Sequence, residues 1–132
     1  VLLIKFEKLR QDSIAVPRQI SIVYTLFQKV LESVEENFAR VHEVADYATK
    51  LGISSRKLSE LCQQFSGKNA KQLIDTRVVS EAKRLLQFTT GSVKGIAAHL
   101  HFADQYQFSK FFKKHTNASP LQFRSRFAEI DI

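Results

Sequence analysis

The feature of this sequence that most constrains its fold is an internal repeat. The segment Ala48-x-x-Leu51-Gly52-Ile53 recurs 49 residues later as Ala97-x-x-Leu100-His101-Phe102. Downstream, Leu58, Ser59, Leu61 and Cys62 recur 50 residues later as Phe108, Ser109, Phe111 and Phe112, so the second copy has one extra turn residue. Each copy predicts a short helix with a small residue, a tight turn and a second helix held by apolar side chains. This is the pattern of a helix-turn-helix.

The small residue and the turn residue have separate roles in this pattern. Ala48 and Ala97 let the two helices of each copy approach closely, and the turn position favours a residue that tolerates positive φ. An alternative is a pair of ordinary αα-hairpins in a helical bundle. Two copies, separated by a long predicted helix that would hold them rigidly, favour DNA binding over that alternative.

The remaining sequence predicts helix almost throughout, because apolar residues recur at helical spacing. Helices are predicted over Ile20–Val41, over Val44–Leu51, from Ser54 or Ser55 to Gly67, over Ala70–Phe88, over Ser92–Leu100, after Asp104 and after Ser119-Pro120. The helix after Asp104 is expected to bury Phe108, Phe111, Phe112 and His115. Only Val1–Phe6 has a strand-like pattern. We therefore expect an all-α protein of about seven helices, with two helix-turn-helix units joined by a long connecting helix.

The charge of the chain is concentrated near its end. Its formal net charge is +7, with 20 Lys and Arg against 13 Asp and Glu. Residues 93–126 carry six basic groups against Asp104 alone, whereas residues 41–65 carry no net charge. Such an excess favours a polyanionic partner and points to the C-terminal third as the surface that meets it. A solvated basic surface without a partner is the alternative.

The second helix of each copy has a polar outer face that could enter a DNA groove. Projection at 100° per residue places Arg56, Glu60 and Gln63 outward in the first copy, flanked by Lys57 and Ser59. In the second copy it places Tyr106, Lys110 and Lys113 outward, flanked by Gln105, Gln107, Ser109 and Lys114. Any amphipathic helix has a polar outer face, but that of the second copy has no acid beyond the N-terminal Asp104. Arginine, lysine and glutamine donate to purine edges, and glutamate accepts from cytosine.

These faces give a set of predicted DNA contacts. We expect base contacts from Arg56, Ser59, Glu60, Gln63, Gln105, Tyr106, Gln107 and Lys110. We expect phosphate contacts, which position a protein without discriminating sequence, from Lys57, Lys113, Lys114 and Arg124. Glu60 should repel phosphate, so it either selects cytosine or pairs with Arg56.

The residues resemble the AraC/XylS-type bacterial transcription regulators over roughly positions 41–127. The motif that carries the resemblance runs from Ile96 to Lys114 and continues in Ser119-Pro120-Leu121-Gln122-Phe123-Arg124, and Glu81–Leu86 also matches. Four departures stand out. His101 and Asn117 occupy positions where glycine is usual, Tyr106-Gln107 replaces a common Ser-Tyr, and Glu60 stands where a basic residue is frequent.

The resemblance implies a sequence-specific regulator that binds double-stranded DNA. Its two recognition helices would enter successive major-groove segments about 34 Å apart. It also implies that residues 41–132 form the DNA-binding domain. Residues 1–40 would be the tail of an N-terminal effector or dimerisation domain, together with a linker helix. We expect that helix to pack on the DNA-binding domain, with a dimer contact as the alternative. RNA polymerase and a second copy, paired through the N-terminal domain, are the further expected partners.

Other functions are less compatible with the residues. Cys62 lies on the buried stripe of a helix, so it is not expected to act as a nucleophile. His99 and His101 face different sides of a helix end, so they are not expected to bind a metal. The sequence has no phosphate-binding glycine loop, and we therefore expect neither catalytic activity nor a cofactor. No apolar run is long enough to span a bilayer. A single cysteine cannot form an internal disulfide, so we expect the protein in the reducing cytoplasm. The chain contains no methionine, so we expect it to be part of a longer protein. A helical protein-interaction module whose basic face docks an acidic partner is the main alternative, and RNA binding is a weaker one.

Overall fold

A computed structural model describes residues 18–130 of the chain, with side chains through Phe127. The predicted strand at Val1–Phe6 lies outside the described residues. Within them the structure has seven α-helices and no strand: α1 (Arg18–Asn37), α2 (Val44–Leu51), α3 (Ser55–Ser66), α4 (Ala70–Phe88), α5 (Val93–His99), α6 (Gln105–Thr116) and α7 (Pro120–Ile130). The predicted all-α class is confirmed. The two helix-turn-helix units are α2 with α3 and α5 with α6, and the long helix α4 connects them.

The helix boundaries follow the capping residues that the sequence indicates. The Oγ of Ser54 accepts a hydrogen bond from the Lys57 amide at 3.0 Å, and the Oγ of Ser92 accepts one from the Gly95 amide at 3.0 Å. These side chains satisfy donors that have no partner inside the first turn of a helix. At the other end of α3, the chain leaves the helix at Gly67, whose φ of 73° is readily available to glycine.

The end of α1 differs from the prediction. The helix was expected to continue to Val41 but ends at Asn37, and the amides of Arg40 and Val41 both donate to the Asn37 carbonyl in a turn. Ile20 and Leu31, which share the predicted apolar face, are 38% and 41% exposed. The spacing of apolar residues predicts which face of a helix is buried, but it does not determine the residue at which the helix ends.

The chain divides into two compact units. The first comprises, among the described residues, 18–36 and 43–73, and its core joins α1, α2 and α3. Phe27 of α1 stacks on Phe65 of α3 with ring centroids 5.3 Å apart, and Tyr24 contacts the same ring at 5.6 Å. This contact agrees with the expectation that the first helix packs on the helix-turn-helix. Tyr47 of α2 is fully buried, which the sequence pattern did not indicate.

The second unit comprises residues 37–42 and 74–130. Its core includes Phe108 and Phe112, which have no exposed surface. The ring of Phe112 meets that of Phe108 at 6.0 Å and that of Phe123 at 5.5 Å, the latter edge to face. Aromatic pairs in such tilted and edge-on arrangements add to the stabilisation that burial alone provides. The second helix-turn-helix is thus built around aromatic side chains.

The repeat extends further in the structure than the sequence pattern suggested. The amides of Asn69 and Gln72 each donate to the other residue's side chain, at 3.0 and 2.8 Å. Fifty residues later, Ser119 and Gln122 make the same reciprocal pair at 2.9 and 3.1 Å. Each pair is a capping box that begins the helix after the recognition helix. The repeating element is therefore a helix-turn-helix together with the start of the next helix.

Candidate nucleic-acid interface

The first recognition helix, α3, presents the polar face that projection predicted. Its inner face consists of Leu58, Leu61, Cys62 and Phe65, all of which are buried. The predicted contact residues Arg56, Lys57, Glu60 and Gln63 are exposed, and Ser59 is half-buried. One side of α3 is therefore fixed by the core, and the opposite side is available to a partner.

An ion pair occupies part of this outer face. The Nε of Arg56 lies 3.2 Å from Oε1 of Glu60, one helical turn away, and their side chains are 90% and 58% exposed. An exposed pair at this spacing contributes only about 0.3–0.5 kcal/mol to folding. Its larger effect is on charge, because Glu60 offsets the cation of the best-placed arginine. Of the two roles considered for Glu60, the unbound structure shows the pairing with Arg56.

Gln63 has an intramolecular role as well as an exposed position. Its side-chain Nε2 donates to the carbonyl of Gly67 at 3.2 Å, just beyond the end of α3. Carbonyls near the end of a helix lack partners within the helix, so a side-chain donor of this kind helps to satisfy them. A base contact by Gln63 would require its amide to leave this carbonyl or to use its remaining polar groups.

The second recognition helix, α6, presents a more positive surface. Its predicted contact residues are all exposed, namely Gln105, Tyr106, Gln107, Lys110, Lys113 and Lys114. Tyr106 is 68% exposed, so its ring and hydroxyl are available to a partner. Asp104 accepts from the Gln107 amide at 2.7 Å, so the single acid at this end of α6 caps the helix. The three lysines consequently face solvent without an acid on the same helix.

The buried face of α6 is narrower than the sequence predicted. Phe108 and Phe112 are fully buried, but Phe111 is half-buried and His115 is exposed. The Nε2 of His115 lies 3.5 Å from Oδ2 of Asp75, a buried carboxylate on α4. The His115 ring also contacts the ring of Phe111, with centroids 4.6 Å apart, so the histidine lies at the margin of the aromatic core between Phe111 and this acid. In the sequence, the only indication of this contact is that Asp75 is an acidic residue next to the apolar stripe of α4.

Arg124 is half-buried and is bonded within the protein. Its Nε donates to the Leu86 carbonyl at 3.0 Å, and one Nη donates to the Thr89 carbonyl at 3.2 Å. The sequence predicted a phosphate contact for this residue and gave no indication of these bonds. The acceptors lie at the end of α4 and in the loop before α5.

The turn of the second helix-turn-helix has the geometry expected of glycine. His101 has a φ of 60°, close to the 69° of Gly52 at the matching position of the first copy. The following amide donates to the carbonyl five residues back in both copies, from Ile53 to Ala48 and from Phe102 to Ala97, each at 3.0 Å. Asn117 likewise adopts a φ of 62° at the end of α6. His101 and Asn117, the two residues at positions where the family usually has glycine, therefore preserve the turns.

Burial favours the neutral forms of two titratable groups in the core of the first unit, Cys62 and Tyr47. Burial raises the pKa of the Cys62 thiol to about 11 and the pKa of the Tyr47 phenol to about 12. A thiol with that pKa is a poor nucleophile near neutral pH. Among the described residues, no group of three His, Cys, Asp or Glu side chains has the arrangement of a metal site. None of the helices between residues 18 and 130 combines the length and apolarity needed to cross a bilayer.

Comparisons with known proteins match this architecture. A family model for the helix-turn-helix domain matches residues 47–126. The arabinose operon regulatory protein of Salmonella typhimurium LT2 is 32% identical over 93 residues, which cover 70% of this chain but 33% of that protein. The chain thus spans about a third of the length of that relative.

Solved structures share the fold. A transcriptional regulator from Chromobacterium violaceum, described as containing an AraC-type DNA-binding domain, has a TM-score of 0.69 at 24% identity, covering 80% of this chain and 95% of that one. The DNA-binding domain of the global transcriptional factor AdpA, solved in complex with a target DNA, has a TM-score of 0.70 at 21% identity, covering 78% of this chain and 93% of that one.

Proposed function

The chain belongs to the AraC-type helix-turn-helix family of DNA-binding transcription regulators, and on that premise we propose that α3 and α6 contact successive major-groove segments of one operator. The observation that carries the proposal is the outer face of α6, where three lysines, two glutamines and Tyr106 are all exposed. Lysine and glutamine are donors suited to purine edges and phosphates. The solved AdpA domain, which shares the fold, binds a target DNA.

Within α6 we propose a division between base contacts and phosphate contacts. Gln105, Tyr106, Gln107 and Lys110 lie in the first two turns of the helix, where recognition helices contact base edges. Lys113 and Lys114 lie in the last turn and are assigned to the phosphate backbone. Phosphate contacts fix the register of the protein on the duplex, and base contacts select the sequence.

Within α3 we propose a smaller electrostatic contribution. Arg56 is the main base contact, with Ser59, Glu60 and Gln63 beside it and Lys57 toward the backbone. Because Glu60 offsets the charge of Arg56, this helix should add more to sequence preference than to overall affinity. The second unit, which lacks such a pair on α6, should supply most of the salt-dependent affinity.

The longer protein would act through further partners. We propose that it contacts RNA polymerase and pairs with a second copy through an N-terminal effector or dimerisation domain. A role on the bacterial chromosome places it in the cytoplasm. We assign no catalytic activity and no cofactor to the helix-turn-helix domain.

A binding experiment separates this proposal from docking to an acidic protein. Duplexes selected from a random-sequence library would be titrated with the 132-residue chain at two salt concentrations, beside scrambled duplexes, single-stranded RNA and polyglutamate. We expect the selected duplex to bind more tightly than its scrambled form by at least about 10³-fold. Equal affinity for selected and scrambled duplexes, or a preference for polyglutamate, would contradict sequence-specific DNA binding.

A further inference from the structure

We propose that Arg124 is a positioning residue for the second recognition helix, and that it acts through the end of α4 rather than through contact with DNA. Its guanidinium joins α7 to two carbonyls, that of Leu86 at 3.0 Å and that of Thr89 at 3.2 Å. These acceptors are separated from it by 38 and 35 residues along the chain. One side chain therefore connects a helix, the end of another helix and the loop that follows it.

The bonds satisfy a requirement of the end of α4. The last carbonyls of a helix have no amide partners within it, and the partial negative charge at that end favours a cation. The last turn of α4 contains no basic residue, so α4 does not supply this cation itself. The Leu85 carbonyl accepts from the Thr89 amide, and the Leu86 carbonyl accepts from Arg124. Arg124 thus acts as a C-terminal cap supplied by a different helix.

The same helix that carries Arg124 also supports α6. Phe123, the preceding residue, packs edge to face on Phe112 of the recognition helix, with ring centroids 5.5 Å apart. Phe112 is fully buried, and tightly packed interiors transmit small displacements of a helix to its neighbours. A shift of α7 away from the end of α4 would therefore displace the ring that supports α6.

The internal repeat provides a comparison for this position. The residue that corresponds to Arg124 in the first copy, 50 residues earlier, is Ile74, which is buried as part of the core. In the second copy the position is half-buried and its side chain reaches two carbonyls. Guanidinium suits this arrangement because its donors form a planar fork, whereas the ammonium of lysine is a compact point charge. The bonded fork accounts for an arginine at a position that is apolar in the other copy.

The inference rests on the proposed DNA binding, and its test has readouts that do not depend on DNA. Arg124→Ala and Arg124→Lys would be compared with wild type and with Lys114→Ala, the proposed phosphate contact. Thermal melting and amide hydrogen exchange would be measured on the free protein, and affinity for the selected duplex would be measured over a range of salt concentrations.

We expect both Arg124 variants to weaken affinity about 2- to 30-fold through displacement of α6, and to lower the melting temperature by about 4 °C or more. Amides of residues 89–96 should exchange faster, and the slope of log affinity against log salt should stay at the wild-type value. Lys114→Ala should instead lower that slope by about 0.9 with an unchanged melting temperature.

Three results would overturn the assignment. The first is a fall of about 0.9 in the salt slope of Arg124→Ala that Arg124→Lys restores, which is the behaviour of a phosphate contact. The second is unchanged affinity in both variants, and the third is unchanged exchange at residues 89–96. If the wild-type protein fails to discriminate the selected duplex, the proposed function is wrong, whereas melting and exchange still report on the Arg124 bonds.

Discussion

Gly52 and His101 occupy the same turn position in the two copies and share a left-handed backbone, with φ values of 69° and 60°. Glycine adopts this conformation without steric cost, but a side chain brings Cβ close to the neighbouring carbonyl. The Nδ1 of His101 lies 3.2 Å from the His99 carbonyl, a local hydrogen bond that offsets part of the cost. The second helix-turn-helix therefore keeps its turn at the expense of some stability.

Exchanging the residue types at this position should change stability in opposite directions. His101→Gly is expected to raise the free energy of unfolding by up to about 1 kcal/mol, because it relieves the left-handed strain. Gly52→Ala is expected to lower it by about 1 kcal/mol through backbone strain alone, since a Cβ there meets no atom within 4 Å. Urea unfolding of both variants would measure the changes. A destabilised His101→Gly protein would show that the histidine side chain matters more than its backbone.

Two lysines of α6 should differ in what they contribute to DNA binding. Lys110→Ala should cost about 1–3 kcal/mol of affinity and relax the preference at one or two base positions. Lys114→Ala should weaken binding to all sequences alike and lower the salt slope by about one unit. Titration of the selected duplex and its single-base variants would separate the two effects. Identical losses for both variants on every duplex would remove the proposed distinction.

The ion pair on α3 predicts the effect of removing its acid. Glu60→Ala frees Arg56 and should change the stability of the protein by only about 0.5 kcal/mol, since both side chains are well exposed. If Glu60 selects cytosine, the variant should lose preference at one base position while gaining affinity for other duplexes. Glu60→Gln, which removes the charge but keeps the size, is the matched control. Uniformly tighter binding to all duplexes would indicate simple repulsion of phosphate.

The aromatic core beneath α6 should determine both stability and DNA binding. Phe112→Ala removes a fully buried ring and should cost about 3–5 kcal/mol, so melting temperature and affinity should fall together. Phe88→Ala, at a position that is 72% exposed, is the matched truncation and should change stability by no more than about 0.5 kcal/mol. A Phe112→Ala protein with normal melting but no affinity for DNA would contradict the assigned orientation of α6.

Alkaline pH should destabilise the first unit. Burial raises the pKa of Cys62 from 9.0 to about 11 and that of Tyr47 from 10.0 to about 12, so the folded protein retains protons that the unfolded chain releases. The free energy of unfolding should therefore fall as pH rises above 9, by up to about 1.4 kcal/mol per pH unit for each group. Urea unfolding across this range would measure the slope. Cys62→Ala should show a flatter dependence, and an unchanged slope would rule out the thiol as its source.

The features that the sequence predicted correctly are local ones. The caps Ser54, Ser92 and Asp104 each accept from an amide three residues ahead, so their hydrogen bonds require only the helix they begin. The inward faces of α3 and α6 follow from helical periodicity in the same way. The two similar helix-turn-helix segments were visible because the same short-range requirements recur 49 or 50 residues apart. The residues assigned to DNA contact stay predictions; all of them are exposed except Ser59 and Arg124, which are half-buried.

Tertiary structure decided the features that depend on residues far apart in the chain. The Arg124 bonds span 38 and 35 residues, and the contact between Asp75 and His115 joins two helices, so no periodicity indicates either of them. The burial of Tyr47 likewise depends on the helices that pack around it. Spacing along one helix specifies which residues face inward, whereas their partners are specified only when separate helices pack against one another. By itself the sequence determined the helices, apart from the end of α1, and the caps Ser54, Ser92 and Asp104, whereas the packing of separate helices determined how the second recognition helix is held.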